Sequence, residues 1–354
     1  MVNITLSALV LASIFALISD QIVSPQRSAR LFFLMGIILI CVAGFRDGQN
    51  MPDYLTYLGL YKRETAGYFS YFIEVSFHYI VKLSNLIDKG NPLIFFLIYA
   101  LLGVTLKLFS IKNLSSPDLY FYSLVIYVSN YFILHEMIQI RAGVATAIIL
   151  LSIVPLYKRE FRQFLILIGL ATLFHYSSII FLFLWFLKPN KYNKIWYIGL
   201  IPIAYLIHFS SIHMSTFLEN LTPFRIINLK MATYVNKARA IRLATNIFGM
   251  FIFTRMVILI YFTYFAKQIK QHNKYIYILL KCYAIGIFIY IALSQFPNIA
   301  VRISRTLMVS EIIIIPNLIY TIKGRKLPRL IIIFYGLLVF YLNVYFTTFF
   351  SWRP

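Results

Sequence analysis

Acidic residues are scarce in this chain of 354 residues: 11 Asp and Glu stand against 33 Lys and Arg, and charged residues of both signs make up only 12%. A soluble domain carries about a quarter of its residues as charges, so that class is excluded; 61% of the chain is hydrophobic, 18% is aromatic, and the mean hydropathy is +0.80. Cysteine is nearly absent. Cys41 and Cys282 both fall in apolar runs without metal-type spacing, which argues against a disulfide or a zinc site and leaves packing as their role. No P-loop and no Rossmann glycine fingerprint occurs, so neither nucleotide hydrolysis nor dinucleotide chemistry is indicated, and no cofactor or metal is expected. No run of short alternating strands suggests an outer-membrane barrel. The N-terminus lacks a basic region and a small-residue cleavage site, so the first apolar run is expected to stay as a helix. The net charge of +22 lies in short clusters between apolar runs, not along one soluble face. That arrangement points away from nucleic acid and toward anionic lipid or a pyrophosphate-bearing lipid.

What fills the chain is a succession of apolar stretches, each near the length of about 20 residues that crosses a hydrocarbon layer of roughly 30 Å. The expectation is an all-α polytopic membrane protein, a single membrane domain over 1–354. Its helices are expected at about 3–19, 31–45, 93–111, 119–135, 139–157, 195–209, 245–266, 275–293, 306–322 and 329–350. The short basic connections are Arg27 with Arg30, Lys107 with Lys112, Lys158 and Arg159 with Arg162, Lys188 with Lys191 and Lys194, Lys267 with Lys270 and Lys274, and Lys323, Arg325, Lys326 and Arg329. A single crossing by the apolar run 163–187 would send the later clusters outside. If this run instead enters and returns, turning near His175, every cluster faces the cytoplasm, as the positive-inside bias requires. The chain is therefore read as about ten crossings plus a re-entrant hairpin over 163–187, with both termini outside. An irregular backbone at that depth must be sheltered by protein or line a wet cavity.

Two outer segments are long. Residues 46–91 contain "GFRDGQNMPDYLTYLGLYKRE" and then, from Tyr68 to Ile87, an expected amphipathic helix lying at the interface with Glu74, His78 and Lys82 on one face. Residues 210–244 set Arg225, Lys230, Lys237, Arg239 and Arg242 against one Glu219, against the usual bias, which suggests a function for them outside.

Candidate chemistry rests on a few polar residues. Arg141, in "HEMIQIRAGVATAIILLS", sits among small residues that favour close packing, and reads either as an ion-pair partner of Glu136 or Glu74 or as a bidentate phosphate clamp. Arg302 and Arg305 share a helix face and read as headgroup contacts or phosphate ligands. His175, at the expected turn of the hairpin, is a candidate general base or substrate-orienting group, against a plain packing role. Asp53 and Asp47 are competing candidates, as a base or as holders of a divalent ion, with Asp47 and Arg46 also readable as a solvated pair.

Taken together, these segments resemble the EpsG-like family, polysaccharide polymerases of the Wzy type. Arg46 followed by Asp53, Tyr54 and Tyr57 resembles the family's first outer-loop motif, "IRAGVATAI" its arginine-headed helix, "LATLFHYSSIIF" its histidine and serine segment, and "VRISRTLMVSEIIIIPNLI" its late arginine helix. The likeness runs over about residues 30–320; Pro52 stands where a glycine is expected, and Ala142 where a glutamine is common. The resemblance implies a GT-C-like helical enzyme at the outer face of a bacterial inner membrane, transferring a glycan from undecaprenyl pyrophosphate onto another lipid-linked repeat unit, as in O-antigen or capsule assembly, with a chain-length regulator as a possible partner. It implies pyrophosphate binding by Arg46, Arg141, Arg302 and Arg305, deprotonation of the acceptor by His175 or Asp53, and glycan contacts by Tyr54, Tyr57 and Tyr176, rings that equally suit an interfacial belt. A flippase of lipid-linked oligosaccharide and a membrane glycosyl- or acyltransferase are the alternative readings.

Overall fold

The computed structural model describes residues 2–18, 25–48, 51, 53–70, 73–210, 246–324 and 326–345. The tail 346–354, Pro52, and all of the basic outer segment 210–244 except Ser210 lie outside them. Among the described residues every regular element is helical. Among the described residues four helices are long and apolar enough to span a membrane, over residues 26–44, 92–114, 140–158 and 326–345, and six shorter apolar helices accompany them. The chain is an all-α polytopic membrane protein. It divides into two compact units, the first comprising 1–187, 268–275 and 311–354, the second 188–267 and 276–310.

The first unit holds α1 (Val2–Ile18), α2 (Pro25–Gly44), α3 (Tyr54–Thr65), α4 (Val75–Ile87), α5 (Pro92–Leu114), α6 (Tyr120–Tyr127), α7 (Ile140–Lys158) and α8 (Phe161–Phe174). At its centre α5 packs between α2 and α7. It runs antiparallel to α2, with Gly44 against Leu97 and Gly36 against Leu108. It runs parallel to α7: Lys107 Nζ reaches Gly143 O at 3.3 Å and Ser110 Oγ reaches Ala147 O at 3.1 Å. The return between these parallel helices is α6 continued by a π-helix, Val128–Ile138. The helix ends at Gln139, whose backbone (φ −99°, ψ 57°) breaks the turn before α7. Gly143 is required there, since a Cβ would strike the His135 carbonyl. Lys107 lies 15 residues into α5 and Gly143 only three into α7, so α7 starts roughly 18 Å further along than α5.

This register corrects one reading of the charges. Lys107 is no cytoplasmic loop residue; it is fully buried and paired with Glu136 at 3.2 Å. Its connection therefore keeps Lys112 as its basic residue. The expected helix over 119–135 is α6 with the π segment, and the one over 306–322 divides into a helix over Pro297–Met308, a turn over Glu311–Ile314 and a 3₁₀ turn over Ile315–Tyr320.

At His175 the chain leaves α8 in an extended conformation (φ −152°, ψ 110°) and continues as a 3₁₀ limb, Tyr176–Phe186. The limb folds back on α8: Phe161 and Phe164, near the start of α8, meet Trp185 at 5.0 and 5.5 Å, and Arg159 closes the base with 2.6 Å bonds to the Trp185 and Leu187 carbonyls. The closure has a geometric cause. Fourteen α residues at 1.5 Å rise and eleven 3₁₀ residues at 2.0 Å both span about 21–22 Å, so limbs of unequal residue number end level.

The second unit holds α9 (Lys194–Phe209), α10 (Met250–Tyr264), α11 (Ile276–Ala292) and α12 (Pro297–Met308), with α11 packed on each of the others.

Candidate functional site

The candidate site in the first unit gathers around one carboxylate. Glu74 caps the start of α4 from an extended conformation. One oxygen, Oε2, accepts from Arg141 Nη1, and the other, Oε1, lies 3.2 Å from His175 Nδ1. A carboxylate only accepts, so the imidazole donates from Nδ1, and in the neutral ring Nε2 is then the acceptor. Burial raises the Glu74 carboxyl, but the His175 hydrogen bond and the Arg141 charge outweigh it and hold the group below the usual carboxylate range. Tyr176, next after His175, donates to the Ile73 carbonyl at 2.9 Å and so ties the turn of the hairpin to the start of α4.

The sequence suggested either Glu136 or Glu74 as the Arg141 partner, and the partner is Glu74. The polar face expected on α4 is turned inward at Glu74 and His78 but not at Lys82, which is exposed. Glu74 and His78 are buried, the latter 2.8 Å from Glu64, whereas Val75, Tyr79, Leu83 and Leu86 are exposed. Glu74 and His78 have partners within the protein, and the buried face also carries Phe77, Ile80 and Val81, so the two faces of α4 are both mixed.

Arg141 is seated on aromatic rings, its guanidinium 5.3 Å from the Tyr57 centroid and 5.9 Å from that of Phe77. Tyr57 is itself buried, and burial pushes its hydroxyl above the ordinary tyrosine range. A buried ring beneath an arginine supports that arginine. Tyr54, one turn earlier, stacks on Phe96 at 4.8 Å, beside Arg46. Tyr176 keeps an exposed ring.

Arg46 is 5% exposed. Its Nη1 donates to Ala43 O at 2.6 Å, capping α2, and to Glu136 O at 3.4 Å, and its guanidinium stands 4.4 Å from the Phe96 centroid. The remaining edge, Nε and Nη2, is buried without a partner. Burial lowers its pKa to about 10, which leaves it charged at neutral pH. The solvated pair with Asp47 is not formed: Asp47 is exposed, and the Arg46 bonds go to backbone carbonyls. Arg141 thus lies over the Tyr57 ring, and Arg46 over those of Tyr54 and Phe96.

Asp53 is exposed at the start of α3 in a left-handed conformation (φ 64°), and its carbonyl accepts from Tyr57 N at 2.9 Å. Arg302 and Arg305 belong to the second unit, on α12, Arg302 exposed and Arg305 5.3 Å from the Phe251 ring. Among the described residues no three His, Cys, Asp or Glu side chains converge as a metal set.

Glu74 was legible in sequence only as one possible counter-ion. Its bond to His175 joins residues 101 apart in the chain, and no local pattern announces it.

A polytopic helical membrane protein with a carboxylate, an imidazole and two arginines gathered beside its central helices is the class these features define. The chain belongs to the EpsG family, which it matches over residues 29–353. It is 26% identical over 310 residues to the amylovoran biosynthesis protein AmsC of Erwinia amylovora, covering 83% of this chain and 80% of that protein. No solved structure matches it.

Proposed function

We propose that the protein acts in polysaccharide biosynthesis as a membrane glycosyltransferase, joining a glycan carried on undecaprenyl pyrophosphate to a hydroxyl of a second lipid-linked repeat unit at the outer face of the inner membrane. Family membership and the amylovoran biosynthesis relative support the polysaccharide role. The observation that carries the chemistry is Glu74 holding His175 and Arg141 on its two oxygens.

In this reading Glu74 fixes the His175 tautomer, and Nε2 takes the proton of the acceptor hydroxyl. The acceptor oxygen bonds to the anomeric carbon as the bond from that carbon to the pyrophosphate oxygen breaks. The leaving lipid pyrophosphate carries the negative charge, which Arg46 and Arg141 stabilise. Energy comes from the pyrophosphate ester itself. Asp53, exposed and a turn from Tyr57, is the alternative base. In this reading the run 163–187 is the re-entrant element, its polar turn at His175 sheltered by α4, and the exposed Val75, Tyr79, Leu83 and Leu86 of α4 lie against lipid.

Profiling lipid-linked glycans in a strain lacking the protein tests this. Accumulation of single repeat units on the outer leaflet is the expected result. Accumulation on the inner leaflet would instead establish a flippase, and an altered repeat unit a single-sugar or acyl transfer.

A further inference from the structure

Beneath Arg46 lies a charged cluster to which no role has been given. Lys107 is fully enclosed, and its three ammonium hydrogens are matched by three partners: Glu136 Oε1 at 3.2 Å, His135 Nδ1 at 3.3 Å and Gly143 O at 3.3 Å. The same Glu136 oxygen accepts from the Tyr127 hydroxyl at 3.0 Å. Glu136 Oε2 has no partner and faces Gly103, where an added Cβ would collide with it.

Of Glu136, Arg46 bonds the backbone carbonyl and not the carboxylate, which accepts from Lys107 and from the Tyr127 hydroxyl instead. An arginine fork beside a carboxylate ordinarily closes on it in bidentate fashion. Here the fork edge of Arg46, Nε and Nη2, remains unpartnered at 5% exposure. The lysine and the tyrosine are what hold the carboxylate elsewhere.

We propose that Lys107 is a positioning residue that sequesters the Glu136 carboxylate, so that the Arg46 fork stays open to the phosphate oxygens of a pyrophosphate-bearing substrate. The inference rests on the reading of Arg46 as a pyrophosphate ligand. Without Lys107 the unpaired Glu136 carboxylate turns to the nearest guanidinium edge and competes with the substrate for it. Glycine at 103 leaves the space in which that carboxylate moves.

The test is titration of the full-length purified protein with inorganic pyrophosphate by calorimetry, with the thermal midpoint of each variant recorded alongside. Lys107→Met is expected to weaken binding at least tenfold. Glu136→Gln is expected to bind within threefold of the unaltered protein or more tightly, and Lys107→Met with Glu136→Gln to return within threefold of it. A purely structural pair would lower the midpoint in either single variant without moving the affinity in opposite directions. Lys107→Met binding as tightly as the unaltered protein, or the double variant remaining as weak as Lys107→Met, overturns the proposal. So does a tenfold loss in Glu136→Gln, a variant that keeps the lysine in place and does not depend on Lys107→Met folding. Arg46→Gln separates the two levels: if it binds pyrophosphate unchanged, the Arg46 reading fails and this inference with it.

Discussion

Replacing Glu74 by Gln is the sharpest perturbation of the site, because it keeps size and removes one property. The carboxylate uses both oxygens as acceptors, one for Arg141 and one for the His175 Nδ1–H. A glutamine has one acceptor and one donor. With its oxygen toward Arg141, its amide hydrogens face Nδ1, which must then accept, and the imidazole proton moves to Nε2, the atom needed as base. The tautomer is inverted. General-base catalysis contributes about 10²–10⁴ in rate, so Glu74→Gln is expected to lose at least about a hundredfold, near 2.7 kcal/mol of transition-state stabilisation. Breaking a fully buried pair costs about 3–5 kcal/mol of stability; the Arg141 side chain is 23% exposed, so the fold loses less than that. The assay is a double-mutant cycle on purified protein with lipid-linked repeat units, read as product length and initial rate. In a His175→Ala background Glu74→Gln is expected to cost less than about threefold, because the two residues act as one unit. Equal losses in the two backgrounds, or full activity in Glu74→Gln alone, would refute the dyad.

The remaining predictions address other links. His175→Ala and Arg141→Ala are expected to leave the protein inserted in the membrane and to abolish long chains; normal chain lengths in His175→Ala would move the base to Asp53. Gly143→Ala is expected to destabilise by about 1–3 kcal/mol through the clash with the His135 carbonyl, seen as a lower thermal midpoint. With Cys41 and Cys282 replaced, single cysteines at Asn190 and Gln271, both exposed positions, are expected to resist an impermeant outside reagent, and labelling at Asn190 would remove the re-entrant reading. Asn273 is unsuitable for this purpose, since its buried side chain bonds the Leu114 carbonyl. Glu74 titrates below its ordinary value, so the stability its network contributes is complete above about pH 4.3 and lost as pH falls through the lowered value. The thermal midpoint of Glu74→Gln should accordingly change less between pH 6 and pH 3 than that of the unaltered protein.

Much of the fold was legible because a membrane imposes strong rules on sequence. Apolar length and the placement of Lys and Arg indicate helices and a chain that turns back near His175, where the α8 helix does end. Lys107 shows where the rule fails. Its charge looks like a loop signal, but a lysine can lie deep in a helix when a carboxylate and two further acceptors meet it, and one of those acceptors is a carbonyl 36 residues away. The face of α4 was legible as a pattern but not in its orientation, since an amphipathic helix presents the same spacing whether its polar side meets water or a buried arginine.

The sequence by itself determined the all-helical membrane class, the family and the short roster of Arg46, Asp53, Arg141 and His175, because composition, apolar run length and local motifs are properties of the chain. Tertiary structure alone decided that Glu74 joins Arg141 to His175, that Tyr57 lies beneath an arginine, and that Glu136 is bonded to Lys107 and not to the Arg46 fork. Each of these pairings is a choice among several oppositely charged or polar partners. The choice depends on how far α7 is offset along α5 and on which way α4 turns Glu74, and neither quantity is written in any local stretch of residues.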